Sequence, residues 1–208
     1  FEDDGAFKAG TVLSQAGSAY QVELTTGRRS KIKASHVFFS FESPSASELI
    51  ARIPEAAEEL DPAFLWEAAP KEEFSYLDLA QEYWGENPGP VEKAALITTL
   101  HANPVYFYRK GRGVYRKAPE DILQKALEAL ERRRRQEEQK KAWIEEMVEG
   151  KLPEAIGRQA LMLLVSPDRN SIEWKALSDA AAETRQTPLS LMLALGGIAP
   201  RWRWQVAC

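Results

Sequence analysis

The sequence has little of the chemistry on which secreted proteins and membrane proteins depend. Among 208 residues there is one cysteine, Cys208. A single cysteine excludes an intrachain disulfide and a thiolate metal site, and it fits a reducing compartment. No run approaches the roughly 20 apolar residues that a membrane-spanning helix needs, since the longest, 160–165, is far shorter. We therefore expect a cytoplasmic protein with no membrane partner.

Catalytic patterns are missing as well. Metal-dependent cleavage of a phosphodiester needs carboxylates that converge on Mg²⁺, whereas acid pairs such as Glu58-Glu59 are typical of solvated helices. The only histidines, His36 and His101, lie in different segments without a second catalytic group, which favours structural or surface roles. Neither a nucleophile elbow nor a GxxxxGK phosphate loop occurs. We expect no catalytic residue, metal or cofactor in this chain.

The first 42 residues have the pattern of short strands. Apolar and polar residues alternate, which is the period of half-buried strands. The apolar positions are Phe7, Ala9, Tyr20, Val22, Leu24, Val37, Phe39 and Phe41. Four short strands with tight turns predict a small SH3-like β-barrel over residues 1–42.

Residues 43–118 read as helices followed by a hairpin. We predict helices over 46–60 and 62–69, a third that Ser75-x-x-Asp78 opens as a capping box, and a fourth from Pro90 to Asn103. Two strands then flank Lys110-Gly111-Arg112-Gly113. Short helices followed by a hairpin predict a winged-helix domain.

Residues 119–208 predict a long helix to about Gly150 and then a small helical bundle, with helices over 153–165, 171–182 and 188–195. Arg132 to Arg135 lie within the long helix. An acid stands four positions from each of these arginines, which favours a solvated, salt-bridged helix over a phosphate site. The whole chain is thus predicted to be α+β and mostly helical.

The strongest candidate site is the hairpin from Tyr106 to Lys117, which contains basic residues, aromatic residues and glycines but no acid. With a net charge of −4, the chain can attract nucleic acid only through such a local patch. Cations neutralise phosphates and aromatic rings stack on unpaired bases. The candidate contacts are Tyr106, Tyr108, Arg109, Lys110, Arg112, Tyr115 and Arg116, with Lys31 and Lys33 of the first segment.

Alternatives remain open for several of these residues. Tyr106 and Tyr108 should project together, away from Phe107, but they are also suited to covering the hydrophobic floor beneath the hairpin. Lys31 and Lys33 are suited to blunting strand edges. Burial of Arg109, Lys110 and Arg112 at the hairpin tip is not expected, and exposed cations at this tip are the premise of the binding hypothesis.

Three stretches resemble the N-terminal region of bacterial ribonuclease II family exoribonucleases, in the branch with a small barrel and a winged helix. They begin at DGAFKAGTVLSQ, at FLWEAAPKEEFSYLDLAQEYWGENPGP and at SPDRNSIEWKAL, and PVYFYRKGRG is the most specific element. The resemblance implies an accessory module that binds single-stranded RNA. It implies that Mg²⁺-dependent 3'-5' cleavage belongs to a catalytic domain missing from this chain, which would be its partner.

Residues 199–208, APRWRWQVAC, depart from the family pattern, and we assign them no role. We take the chain to be part of a longer reading frame.

Two functions other than RNA binding are also considered. One is a winged-helix regulator whose helix from Val91 to His101 would enter the DNA major groove, although its outward polar groups, Glu92, Lys93, Thr98 and Thr99, are weakly basic. The other is a protein-interaction module that uses the acidic helical surface.

Overall fold

The computed structural model describes residues 1–199. Residues 200–208, which include Cys208 and all but the first residue of the 199–208 segment, lie outside the described residues. Within 1–199 the chain forms nine α-helices and eight short strands, which confirms the α+β, mostly helical class. The chain divides into two compact units, Phe1–Ala126 and Leu127 onward. The first unit contains both predicted N-terminal modules.

Two small antiparallel arrangements open the chain. Strands β1 (Glu2–Asp3) and β2 (Ala6–Phe7) form a hairpin, and β3 (Gly10–Ala16), β4 (Ala19–Leu24) and β5 (Arg29–Lys33) form a sheet in the order β3-β4-β5. Val22 and Ile32 are buried on one face of this sheet, as the alternation predicts.

The barrel is not formed in the described part of the chain, where the sheet stays open. The prediction of a fourth strand at 37–41 is wrong. A 3-10 turn, Ala34–His36, follows β5, and no strand lies between this turn and α1 (Ala46–Glu58). Phe39 and Phe41 instead pack beside Leu49 and Ala94 of the helices that follow. Their apolar spacing marks helix contacts rather than a fourth strand.

Four helices precede the predicted hairpin, and their predicted starts and ends agree with the structure within about two residues. They are α1 (Ala46–Glu58), α2 (Pro62–Ala68), α3 (Tyr76–Trp84) and α4 (Pro90–Ala102). Asp61 accepts a hydrogen bond from the Ala63 backbone N–H and caps α2. Ser75 and Asp78 form the predicted capping box of α3.

The hairpin also forms, as β7 (Phe107–Gly111) and β8 (Val114–Lys117). A short strand, β6 (Phe74–Ser75), pairs with β8, so this sheet has the order β6-β8-β7. Phe74, Phe107 and Tyr115 lie in the hydrophobic core with residues of α3 and α4. The sheet and the helices therefore share one core.

Helix α4 runs through the middle of that core. Its residues are buried all around the helix, including Ala95, Leu96, Ile97 and Leu100, each at most 3% exposed. Thr99 was predicted to point outward, but it is buried and its hydroxyl donates to the Ala95 carbonyl oxygen at 2.9 Å. None of the residues from Pro90 to His101 is fully exposed, so the helix presents little surface to a partner molecule.

Helix α5 (Glu120–Val148) confirms the long predicted helix, and the boundary between the units falls within it. The remaining helices belong to the second unit. They are α6 (Glu154–Gly157), α7 (Ala160–Val165), α8 (Ile172–Glu183) and α9 (Pro188–Ala194). One helix was predicted over 153–165, but Arg158 and Gln159 divide it. Met147, Ile156, Leu177 and Met192 are central in the core of this unit.

The capping box of α3 gives a direct test of the first unit. Replacing Ser75 with alanine removes the oxygen that accepts a hydrogen bond from the Leu77 backbone N–H at 3.1 Å. We expect Ser75→Ala to lower the free energy of unfolding by about 1 kcal/mol, measured by urea denaturation. Ser47→Ala, at an exposed serine inside α1, is the matched control. Equal stability of the two variants would contradict the cap.

Candidate nucleic-acid interface

The hairpin of β7 and β8, which we call the wing, has one buried face and one solvent face. Its register pairs Tyr108 with Arg116 and Arg109 with Tyr115. Because directly paired residues share a face, Tyr108 and Arg116 lie together on the side away from buried Phe107. The solvent face thus carries a tyrosine beside an arginine, and Arg116 is exposed.

The structure contradicts the expected free arginines at the wing tip. Arg109 Nη2 lies 2.6 Å from the Glu2 carboxylate oxygen Oε2, and Arg112 Nε lies 3.4 Å from the same oxygen. Arg109 is paired with buried Tyr115, so its side chain leaves the strand on the buried face of the wing. From there it reaches Glu2 on β1. One carboxylate thus neutralises part of the charge of two arginines.

Glu2 is unusually buried for a glutamate, with its side chain only 9% exposed. The hydrogen bond from Arg109 is the main cause that lowers the pKa of Glu2 below its ordinary value, and Arg112 acts in the same direction. The same hydrogen bond raises the pKa of Arg109. All three groups therefore stay charged at neutral pH, and the pairs hold the wing to the β1–β2 hairpin.

A second contact joins the wing tip to the segment after β5. Arg112 Nη1 donates to the Ser35 carbonyl oxygen at 2.5 Å, and the Tyr76 hydroxyl donates to the Phe38 carbonyl oxygen at 3.1 Å. Gly113 fits between these groups: a Cβ there would lie 3.0 Å from the Tyr76 ring, and its φ of +70° favours glycine. The tip is fixed against the turn that follows β5.

Two candidate aromatic contacts are less accessible than expected. Tyr115 is 1% exposed in the core, so its ring cannot stack on a base; burial raises its pKa. Tyr106 precedes β7 and packs against the core, with its ring centroid 6.4 Å from that of Phe107. For Tyr106, covering the hydrophobic floor is therefore the role that its contacts support. Tyr108, on the solvent face, is the remaining aromatic candidate.

The accessible cations are Lys110 and Arg116 on the wing and Lys31 and Lys33 on β5, all of them exposed. None of the four forms an ion pair within residues 1–199. Lys31 and Lys33 lie on one face of β5, since buried Ile32 between them points to the other. Charge that is not paired internally remains available to an anion.

These cations belong to two stretches of the chain without an acid. Residues 24–41 contain four arginines or lysines, and residues 93–119 contain six, with no aspartate or glutamate in either stretch. The contact between Arg112 and Ser35 brings the two stretches together. We use the name basic surface for β5, the turn after it and the wing, which carry these exposed cations.

The arginine run in α5 behaves as predicted in part. Glu131 pairs with Arg134 at 2.7 Å and with Arg135 at 3.0 Å, and Arg134 also pairs with Glu138. The hydrogen bonds from Arg134 and Arg135 lower the pKa of Glu131 to about 2. The predicted pairs of Arg132 with Glu128 and of Arg133 with Glu137 do not form in residues 1–199. The four arginines are exposed around the helix, and Arg132 and Arg133 form no ion pair within the described residues.

No group of three or more histidine, cysteine, aspartate or glutamate side chains within 1–199 is placed to hold a metal ion. The His101 ring lies against the Phe7 ring, with 5.0 Å between centroids, in a structural position. None of the helices in this part of the chain has both the length and the apolar character that crossing a bilayer requires.

A cavity of about 360 Å³ lies between the β3–β5 sheet and helices α1 and α4. Its walls are mainly apolar and aromatic, including Val22, Phe39 and Leu49, and the one lysine among the described residues that line it, Lys8, pairs with Asp3 at 2.7 Å. Such a cavity does not suit a phosphate. The candidate interface is therefore the basic surface.

Sequence reasoning missed Glu2. It stands among Asp3 and Asp4 in a stretch that resembles any solvated acidic start, and no spacing relates it to a wing more than 100 residues later. No pattern in the sequence singles it out, because its pairing with Arg109 and Arg112 depends on how distant segments fold together. Comparisons with family models, with curated proteins and with solved structures found no match to this chain.

The Glu2 pairs predict a pH-dependent contribution to stability. Because the pKa of folded Glu2 lies below its ordinary 4.5, its stabilisation is present above that pH and is lost as the pH falls through the folded value. We expect Glu2→Gln to lower the free energy of unfolding by about 1–2 kcal/mol at neutral pH, since both arginines stay partly hydrated. Urea denaturation across a pH series measures this difference.

The control is Asp4→Asn, an exposed acid in the same hairpin. The deficit of Glu2→Gln should shrink toward zero well below pH 4.5, where wild-type Glu2 is also protonated. A deficit that matches Asp4→Asn at neutral pH, or that stays constant in acid, would contradict the ion pairs.

Proposed function

We propose that this chain binds single-stranded RNA on the basic surface, as an accessory region of a ribonuclease II family exoribonuclease. The observation that carries the proposal is the contact of Arg112 with the Ser35 carbonyl oxygen, which joins two acid-free stretches into one surface. A concentrated positive surface on a chain of net charge −4 attracts polyanions locally.

The proposed contacts differ from the ones expected at first. Lys31, Lys33, Lys110 and Arg116 supply charge that is not paired within the described residues, and Tyr108 supplies a ring beside Arg116. Alternate cations along an extended strand suit an extended phosphate backbone, and a partly exposed ring such as that of Tyr108 suits an unpaired base. Arg109 and Arg112 take a supporting role, because their pairs with Glu2 position the wing.

The order of elements from α2 to β8 supports a winged-helix domain within this function. Three helices are followed by the wing, and the wing joins β6 in a three-stranded sheet. In this interpretation β1–β5 form a small SH3-like module whose sheet remains open. The burial of most of α4 argues against the DNA-binding alternative, because reading the major groove requires an exposed helix.

The family assignment rests on the sequence resemblance alone. It implies that the module feeds RNA to a catalytic domain that holds Mg²⁺ with aspartates, and we carry over no catalytic residue to this chain. RNA binding and the family assignment can be tested separately, since the basic surface would bind RNA whatever domain accompanies it.

RNA binding is tested by fluorescence anisotropy with a single-stranded RNA oligonucleotide and a duplex DNA of equal length over a salt series. We expect RNA to bind more tightly than the duplex. Lys31→Ala/Lys33→Ala and Lys110→Ala/Arg116→Ala should each weaken RNA binding at low salt by about tenfold. Each pair should reduce the slope of log affinity against log salt by about 1.4, which is two phosphate contacts.

Arg132→Ala/Arg133→Ala is the matched control, since it removes two exposed arginines of α5 that form no ion pair within the described residues. It should leave RNA affinity and salt slope unchanged. Preference for duplex DNA, or equal effects of the control and the two basic-surface variants, would overturn the proposal.

A further inference from the structure

Helices α2 and α3 expose a row of aromatic rings that RNA binding does not explain. Phe64 of α2 is 54% exposed and Tyr83 of α3 is 41% exposed. Their ring centroids are 6.1 Å apart, and the Tyr83 centroid is 4.6 Å from that of Trp84. We call Phe64, Tyr83 and Trp84 the aromatic ridge. Contiguous exposed aromatic rings are typical of interaction sites.

The ridge is anchored to the core at one end. Trp84 packs partly against the core of the first unit, which includes Leu79 and Ala80 of the same helix. Phe64 projects from α2, whose Leu65 is 1% exposed. Because both helices are fixed by buried neighbours, the exposed rings are held in place without a partner. A held ring loses little conformational entropy when it is covered.

The sequence that contains the ridge is acidic. Residues 53–92 contain eleven acids and a single base, Lys71. Within residues 1–199 none of these acids forms an ion pair. Asp61 and Glu67 lie three positions on either side of Phe64, so they flank its ring along α2. Glu82, the residue before Tyr83 on α3, is also exposed.

This combination selects the chemistry of the occupant. Unpaired carboxylates repel the phosphates of nucleic acid, so the rings do not suit stacking on bases. The same carboxylates attract lysine and arginine, and electron-rich ring faces bind cations as well as apolar side chains. The surface therefore complements a protein segment that carries both positive charge and apolar side chains.

We propose that the aromatic ridge docks a basic, apolar segment of a partner protein, with its aliphatic or aromatic side chains over Phe64 and Tyr83 and its cations beside Glu67 and Glu82. This surface is separate from the basic surface in sequence and opposite to it in charge. The chain would then bind a polyanion and a polycationic protein segment through different elements of its first unit.

The test uses a labelled synthetic peptide in which arginine alternates with leucine, and measures its Kd for the full chain by fluorescence anisotropy. Phe64→Ala/Tyr83→Ala should raise the Kd about tenfold or more, because aromatic rings at a contact centre dominate binding. Glu67→Gln/Glu82→Gln should raise it at low salt and have a smaller effect at high salt. A peptide that alternates arginine with alanine should bind more weakly than the leucine peptide.

Two controls separate this surface from general stickiness. Val12→Ala/Leu13→Ala removes exposed apolar side chains from β3, and Glu128→Gln/Glu145→Gln removes exposed acids from α5. Neither should change the Kd. If Phe64→Ala/Tyr83→Ala lowers thermal stability, the charge variant, which touches no ring, keeps the proposal testable.

Three results would overturn the proposal. The first is a Kd that responds to the controls as strongly as to the ridge variants. The second is loss of single-stranded RNA binding in Phe64→Ala/Tyr83→Ala, which would make the ridge a nucleic-acid contact. The third is a concentration-dependent dimer in sedimentation that the same variant abolishes, which would make a second copy the occupant.

Discussion

The wing depends on one carboxylate. Glu2 is nearly inaccessible to solvent, and it meets two guanidinium groups, that of Arg109 on β7 and that of Arg112 in the loop between β7 and β8. A buried carboxylate without these partners would be costly, and two arginines side by side would repel each other without it. The carboxylate and the two guanidinium groups thus stabilise one another. Their contacts join β1, the turn after β5 and the wing.

Local patterns predicted the helices of this chain well. The capping box at Ser75, the Asp61-Pro62 start of α2 and the Gly85 end of α3 are signals that adjacent residues carry by themselves. The wing was also predictable, because its two strands flank a glycine-containing loop. Hydrogen bonds at helix ends and turn geometry involve neighbours in sequence, so they are visible without the fold.

Contacts between distant segments were not visible in this way. Val37, Phe39 and Phe41 alternate like a strand, yet two of these side chains pack against helices, because apolar spacing records burial and not its partner. Tyr115 has the composition of a binding residue but faces the core, since the register with Arg109 puts it there. Composition located the basic hairpin correctly. Which of its cations are paired and which are accessible depends on the position of Glu2, which the sequence does not reveal.

Gly113 has a consequence for the energetics of recognition. Its backbone passes so close to the Tyr76 ring that a methyl group would be crowded, and its neighbour Arg112 is tied at two points. A loop fastened in this way is already ordered before any ligand arrives. Binding of a ligand at the wing would therefore cost little conformational entropy. Most of the favourable electrostatic free energy would then contribute to affinity.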